Sequence, residues 1–561
     1  PFYCFERLRM EREWLRSAMA GATTLGLLAF THPGYAFWTT GLLIGYALVR
    51  LWTERRGTPL KTWLPRSLLL LGGGLVVGAY LALPMWIERV HTGLRFGLSM
   101  SATPDPDWRR LLVWSNYRFP LIPVETTHWY GGYLGASLVL LAIVGLVAAF
   151  ASRERIGSPA SRAGALCLLV SLILVFGYRW PVLRESSLIQ AFNASRYLLF
   201  VTFFVSVMAG VGAAALMRLR KPGSWSTPVF TAIVLVIAVD LGATTFRHPC
   251  THEGPLMISR QAHTNLRMDA NRFTDGQLPD YRVFHTTANV YRPKILSWLP
   301  IRTGTVPFLG SYNEQPLAMY ALGRPLEAFL NPLIEGVRDP EELNDSEAFD
   351  LIVSGLYQLN TRHVFSIQTD DAKEAWRSVS WSLPINSPVT VSSRIEGYRL
   401  DLDPDAGRML GAATELLRAM NLNPLASTCE RILLTGYDGV EDLGTRPEVQ
   451  VLEHRVWNQR VEMAVRVSAP CFIRLAYAHY PFLDVKVDGL AVEPYQTAGR
   501  FIALRLEEGE HRIVLVPRLS PLRRTLLALN LILAACAILA LIRSRRRGRR
   551  PTSPAREGDA P

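Results

Sequence analysis

The side chains able to do chemistry stand at the ends of apolar runs. Arg196 closes the polar segment Arg179–Arg196 and leads into the apolar run Tyr197–Met217. Its planar guanidinium fork suits a lipid phosphate, and the alternative is an interfacial anchor reaching up to headgroups. His32 lies in the corner Thr31-His32-Pro33-Gly34 between two runs, where it can donate to the same phosphate or cap and pack a helix. Arg89 and His91 follow the run ending at Trp86, and His128 precedes Trp129. Asp105 and Asp107, spaced i, i+2 around Pro106, are either a base or weak metal site, or the acids of an Asp-Pro turn. Asp240 falls inside the run Thr227–Phe246 near its outer end, where a carboxylate is costly and is either functional or paired with an arginine of the bundle. No Walker loop, GxSxG, HExxH or strand–helix GxGxxG occurs, so nucleotide-driven transport and zinc hydrolysis have no support. No cofactor is evident; a divalent metal is left open, with no support from the sequence.

The elements that must position these residues follow from hydropathy. The run Leu522–Ile542 is long enough for a bilayer core and is followed by Arg543, Arg545, Arg546, Arg547, Arg549 and Arg550, which belong on the cytoplasmic side. Seven earlier runs, Leu15–Phe30, Tyr35–Trp52, Ser67–Trp86, Tyr130–Ala151, Ala163–Tyr178, Tyr197–Met217 and Thr227–Phe246, bring the expected spans to about eight. Every second loop is basic: Arg55, Arg56, Lys61 and Arg66; then Arg153, Arg155 and Arg162; then Arg218, Arg220 and Lys221. That alternation puts both ends in the cytoplasm and the long segment from Arg247 to Leu519 outside it. The opening Phe2–Trp14 reads as the cytoplasmic flank of a helix already under way, so the chain is expected to continue upstream of Pro1.

Composition agrees with a hybrid of bundle and folded soluble part: 49% hydrophobic, with mean hydropathy +0.15. The net charge of +13 sits beside apolar runs, where orientation and anionic lipid account for it, and no basic motif with interleaved aromatics points to nucleic acid. The six cysteines show no CxxC and no metal spacing; a Cys250–Cys429 bridge and free buried thiols are both open.

The expected fold is a polytopic α-helical membrane bundle (residues 1–246) with an extracytoplasmic mixed α/β region (247–404) and a helical linker (405–430). A β-sandwich (431–519), a C-terminal transmembrane helix (520–543) and a basic cytoplasmic tail (544–561) complete it. The sandwich rests on period-2 segments Val449–Val456, Arg460–Val467, Phe472–His479, Asp484–Val487, Phe501–Leu506 and Arg512–Val516, with turns at Asp488-Gly489 and Glu508-Gly509. Tyr477, Tyr480 and Tyr495 are its candidates for stacking on sugar, with a structural role as the alternative.

The order of these pieces resembles the YfhO-like bacterial membrane proteins of the GT-C glycosyltransferase superfamily. The carrying stretches are Leu28-Ala29-Phe30-Thr31-His32-Pro33, Trp129-Tyr130-Gly131-Gly132-Tyr133-Leu134-Gly135 and Ser195-Arg196-Tyr197-Leu198-Leu199. In the long outer segment they are Gly310-Ser311-Tyr312, Leu359-Asn360-Thr361-Arg362-His363-Val364, Val487-Asp488-Gly489 and Glu508-Gly509-Glu510-His511. The resemblance implies an enzyme of the bacterial inner membrane that takes sugar from a polyprenyl-phosphate donor to a glycan, lipid or protein acceptor on the outer face. It implies an acidic residue in the first outer loop; the candidates for the donor phosphate are Arg196, His32, Arg89, His91 and His128, the last three set either in a lid loop over the lipid carrier or as plain solvated loop charges. Thr31-His32-Pro33-Gly34 has no acid, so that carboxylate is expected upstream of Pro1. The rival expectations are a non-catalytic, membrane-anchored assembly or glycan-binding protein and, further off, a lipid or polysaccharide flippase.

Overall fold

The computed structural model describes residues 1–10, 14–53, 60–92, 134–151, 158–177, 197–218, 226–245, 282–287, 306–307, 353–370, 375–382, 387–401, 406–457 and 459–548, with Trp180, Val182, Leu322 and Leu326. These fall into two bodies, the first within Pro1–Ile87, Leu98–Thr251 and Ser520–Pro561, the second within Glu88–Gly97 and His252–Leu519.

The first body is helical: α1 (Phe2–Met10), α2 (Trp14–Thr31), α3 (Pro33–Thr53), α4 (Leu60–Ile87), α5 (Ala136–Ala151), α6 (Pro159–Phe176), α7 (Leu198–Arg218), α8 (Ser226–Thr245) and α10 (Pro521–Gly548). From α2 onward these fall on the eight apolar runs. Among the described residues four helices are long and apolar enough to cross a membrane, Thr62–His91, Pro159–Phe176, Leu198–Met217 and Pro521–Ala540. Small residues set the closest crossings, as expected where apolar solvent gives helices no hydrophobic reason to associate. A Cβ on Gly145 of α5 would lie 2.0 Å from the Met208 carbonyl oxygen of α7, and one on Gly212 2.0 Å from that of Leu141. In the α2–α4 pair Gly21 takes Leu70, Gly26 takes Val77 and Gly74 takes Leu25.

The opening segment packs into the helical body. Phe5 and Leu8 of α1 are fully buried, and Phe5 meets Trp63 edge-on at 5.1 Å. Glu6 takes a forked pair from Arg50, Nε to Oε1 at 2.9 Å and Nη2 to Oε2 at 2.8 Å, plus the Tyr46 hydroxyl at 2.8 Å. Arg66, expected only as a topology marker, donates to the Leu8 carbonyl at 2.9 Å and lies over the Trp14 ring.

In the second body, β1 (Arg282–Thr287), β2 (Val306–Pro307), β3 (Thr361–Asp370) and β4 (Ala375–Ser382) form a sheet in the order β2-β1-β3-β4, parallel except for β4. A helical stretch, 353–358, enters β3 through Asn360, whose φ of 51° turns the chain. Next come β5 (Val389–Ser392), β6 (Arg394–Gly397), helix α9 (Ala406–Met420), β7 (Leu422–Asn423), β8 (Thr428–Cys429), β9 (Ile432–Leu434) and β10 (Val440–Asp442). The C-terminal strands are β11 (Val449–Trp457), β12 (Arg460–Val467), β13 (Cys471–Ala478), β14 (Leu483–Val487), β15 (Leu490–Ala491), β16 (Tyr495–Gln496), β17 (Phe501–Leu506) and β18 (Gly509–Pro517). They pair as a three-stranded sheet β10-β6-β9, a five-stranded sheet β11-β12-β18-β14-β15 and a six-stranded sheet β16-β17-β13-β5-β8-β7.

Two cores explain why β13 and β17 are buried along nearly their whole length. Ile473, Leu475, Ile502 and Leu504 join Met463, Val465, Val485, Ile513 and Leu515 of the five-stranded sheet in one cluster. The alternate residues Phe472, Phe501 and Ala503 join Ile395, Leu433 and, from α9, Ala413, Leu416 and Met420 in another. Strand pairing and core packing cross the expected boundaries at 404 and 431. β5 and β6 hydrogen-bond into the C-terminal sheets, and α9, expected as a linker, is a core element with Met409 and Leu416 each 2% exposed. Cys429 carries a free, buried thiol rather than half of a bridge.

Gly145→Leu should drive a side chain into the α7 backbone and cost about 3 kcal/mol by overpacking. A lowered thermal midpoint of the detergent-solubilised chain measures it. Gly210→Ala, which meets nothing within 4 Å, should leave that midpoint unchanged.

Candidate functional site

α4 ends at Ile87, and the next residues, Glu88–His91, form a 3-10 turn belonging to the second body. Glu88 is 6% exposed, a degree of burial that a carboxylate reaches only with partners. The Tyr480 hydroxyl donates to its Oε2 at 3.0 Å. Tyr480 sits just beyond β13, its ring held edge-on by Phe482 at 5.6 Å and by His91 at 5.7 Å.

His479 adjoins it in sequence and anchors the next layer. Its backbone N–H donates to the Arg500 carbonyl at 2.8 Å, and Arg500 itself holds a left-handed φ of 66°. Arg500 Nη1 donates to Gln496 Oε1 at 2.9 Å, and Gln496 Nε2 donates to His479 Nδ1 at 3.2 Å. An acceptor at Nδ1 fixes the neutral tautomer with its proton on Nε2. Burial, then the neighbouring His91 and Arg500, holds His479 below the ordinary imidazole range, so it is neutral at pH 7. The cluster thus combines a buried carboxylate, a neutral imidazole carrying one proton, a phenol and a guanidinium: a proton acceptor, a proton donor and an anion holder.

Arg500 also lines a cleft of about 810 Å³ bordered by Glu396–Asp401 and Thr435–Val440. Glycine builds this cleft. The Gly397 N–H donates to the Gly439 carbonyl at 3.0 Å, and a Cβ on Gly397 would lie 2.0 Å from the Tyr437 carbonyl oxygen. Gly436 and Gly439 take φ values of +71° and +128°. Tyr398, Tyr437, Asp438, Arg399 and Arg500 present rings, carboxylate and guanidinium to the same space, a lining suited to a polyhydroxylated ligand.

The expected site residues divide. Arg89 and His91 lie in the Glu88 turn. His32 ends the α2–α3 corner with its Nδ1 accepting the Tyr35 N–H at 3.4 Å, a helix-capping role. Asp240 meets the start of α5: its Oδ2 accepts the Ser137 N–H at 2.9 Å and the Ser137 hydroxyl at 2.5 Å. Gly135, with φ +90°, makes room beside it. Arg196, His128, Asp105 and Asp107 lie outside the described residues. Among the described residues no group of three His, Cys, Asp or Glu side chains is placed to hold a metal ion.

The turn acids of the C-terminal strands are structural. Asp488 and Gly489, both with positive φ, close the β14–β15 hairpin. Asp488 accepts the Arg512 N–H at 2.7 Å and pairs with His511 Nδ1 at 2.7 Å, while His511 Nε2 meets the Glu507 carbonyl at 2.8 Å. With acceptors facing both nitrogens His511 favours its protonated form: burial opposes the charge, but those bonds outweigh it and raise its pKa. Glu462 bridges Arg460 and Arg512. Sequence reading passed over Glu88, His479, Gln496 and Arg500; the only signal for Glu88 was an acid placed directly after an apolar run.

Compared with known proteins, the chain matches no family model, no curated protein and no solved structure.

His479 titrates lower in the folded chain than in the unfolded one, so its contribution is full above pH about 6.5 and declines as acid protonates the unfolded state first. Thermal midpoints from pH 8 to 5.5 should fall more steeply for the native chain than for His479→Gln. The His511 contribution runs the other way and is common to both.

Proposed function

We propose that the chain is an integral-membrane glycosyltransferase of the bacterial envelope that moves sugar from a polyprenyl-phosphate donor to a glycan, lipid or protein acceptor outside the cytoplasm. In this reading the eight apolar helices are spans with both ends cytoplasmic, and the second body is extracytoplasmic, its five- and six-stranded sheets forming a β-sandwich. The observation that carries it is the burial of Glu88 beside Tyr480, one residue past the apolar α4. It supports the reading because Glu88 follows α4 directly in the chain, and with α4 read as a span the carboxylate would come near the level of lipid phosphates. Glu88 then supplies, from the turn after α4, the acid missing from the Thr31–Gly34 corner.

The step uses the cluster directly. Glu88 takes the proton of the acceptor hydroxyl. The acceptor oxygen forms the new glycosidic bond to C1 as the C1–O bond to phosphate breaks, and the polyprenyl phosphate leaves with the bonding electron pair. Arg500 and Arg89 offset the leaving charge, and the cleft shared by Arg500 seats the acceptor. A second reading, a membrane-anchored glycan-binding protein without catalysis, is favoured by the same cleft.

Transfer from a radiolabelled polyprenyl-phosphate sugar in membranes containing the chain separates the two. Glu88→Gln should lower transfer at least 100-fold, the scale of a lost general base, with the thermal midpoint close to native. Equal transfer by native chain and variant would exclude Glu88 as the base. Glycan retention with no turnover by the native chain would select the binding protein.

A further inference from the structure

Arg474 is the one fully buried arginine in the second body's C-terminal strands among the described residues, 1% exposed in the middle of β13. Its Nη1 donates to the Gln358 carbonyl at 2.6 Å and its Nη2 to the Thr390 hydroxyl at 3.0 Å, with the guanidinium 5.1 Å from the centre of the Phe501 ring. Its Nε–H has no acceptor, and neither has the Nε2 amide of Gln358, itself 1% exposed. Both residues line one small cavity of about 10 Å³, bordered otherwise by Thr497, Gly499 and apolar residues such as Leu416 and Leu433. That space suits a single small occupant.

The charge around the cavity is one-sided. Every hydrogen bond that Arg474 makes goes to a neutral oxygen. Burial lowers its pKa only to about 10, so it stays cationic at neutral pH. The nearby Cys429 thiol does not offset it, because burial pushes that thiol up to about 12. Arg282 adds a second guanidinium, its Nη1 on the carbonyls of Leu359 and Ala476 at 2.9 and 2.7 Å. The carbonyl end of the 353–358 helical stretch supplies at most about half a negative charge against these two cations.

We propose that this cavity binds a small monovalent anion of the halide class, held between Arg474 Nε and Gln358 Nε2. An anion accepts from both donors and offsets the buried charge. A water would accept both bonds but bring two hydrogens into largely apolar walls and leave the charge standing. The occupant joins β13, the end of the 353–358 stretch and α9 in one core, so halide should stabilise the folded second body without touching Glu88.

The test uses the full chain in detergent, exchanged into sodium gluconate and titrated with sodium chloride or bromide at constant ionic strength. A saturable rise of a few degrees in the thermal midpoint is expected, absent in Gln358→Leu, together with a bromide anomalous peak beside Arg474 in crystals of the native chain. Gln358→Leu keeps the arginine and its backbone bond, so it remains informative even if Arg474→Met does not fold. A midpoint indifferent to halide, a response retained in Gln358→Leu, or bromide-soaked crystals with no peak at Arg474 would overturn the proposal in favour of water.

Discussion

The hydrogen bond from Tyr480 to Glu88 is the constraint on which the account of this molecule turns. A carboxylate next to an apolar helix is unfavourable unless something supplies a donor and a place to bury it. Here the donor comes from 392 residues further along the chain. Once Tyr480 is committed to Glu88, the end of β13 is fixed, and with it His479, which must then find its own partners in Arg500 and Gln496. The left-handed Arg500 backbone is retained because its carbonyl receives the His479 N–H while its own N–H reaches Thr497. The site is therefore assembled from the two ends of a long excursion.

Buried charge is met in more than one way. In the first body, Glu6 and Arg50 neutralise one another by a planar fork, and Asp240 is met by helix N–H and hydroxyl donors. In the second, Arg474 and Arg282 lean on carbonyls and aromatic faces. The Leu359-Asn360-Thr361 stretch owes its character to this arrangement. Asn360 turns the chain in the left-handed region so that the Gln358 and Leu359 carbonyls are both presented to arginines from distant strands.

Sequence legibility tracks the range of the physics involved. The helices from α2 onward were readable because an apolar stretch declares itself locally, and β12 and β17 match their expected limits because alternation is a property of adjacent residues. The Asp488-Gly489 hairpin was equally plain, two residues with positive φ closing a tight turn. What failed to show is non-local. Nothing near Val389–Gly397 says that β5 will pair with β13, some eighty positions on, or that Gly397 must lack a side chain because Tyr437 passes over it. Amphipathic α9 looked like a connector because its partners, among them Leu433 and Phe501, lie downstream. Glu88 was overlooked for the same reason: its partner Tyr480 lies 392 residues along the chain, where no local pattern could bring it.

The most direct test is to ask where a lipid phosphate binds. A polyprenyl phosphate carrying a photoreactive group close to the phosphate, irradiated with the chain in membranes and mapped by mass spectrometry, should label peptides containing Glu88–His91 and His479–Arg500. Unlabelled competitor should suppress that labelling. Saturable labelling confined to peptides of the first body, with none at those two segments, would contradict the account and move the chemistry away from Glu88.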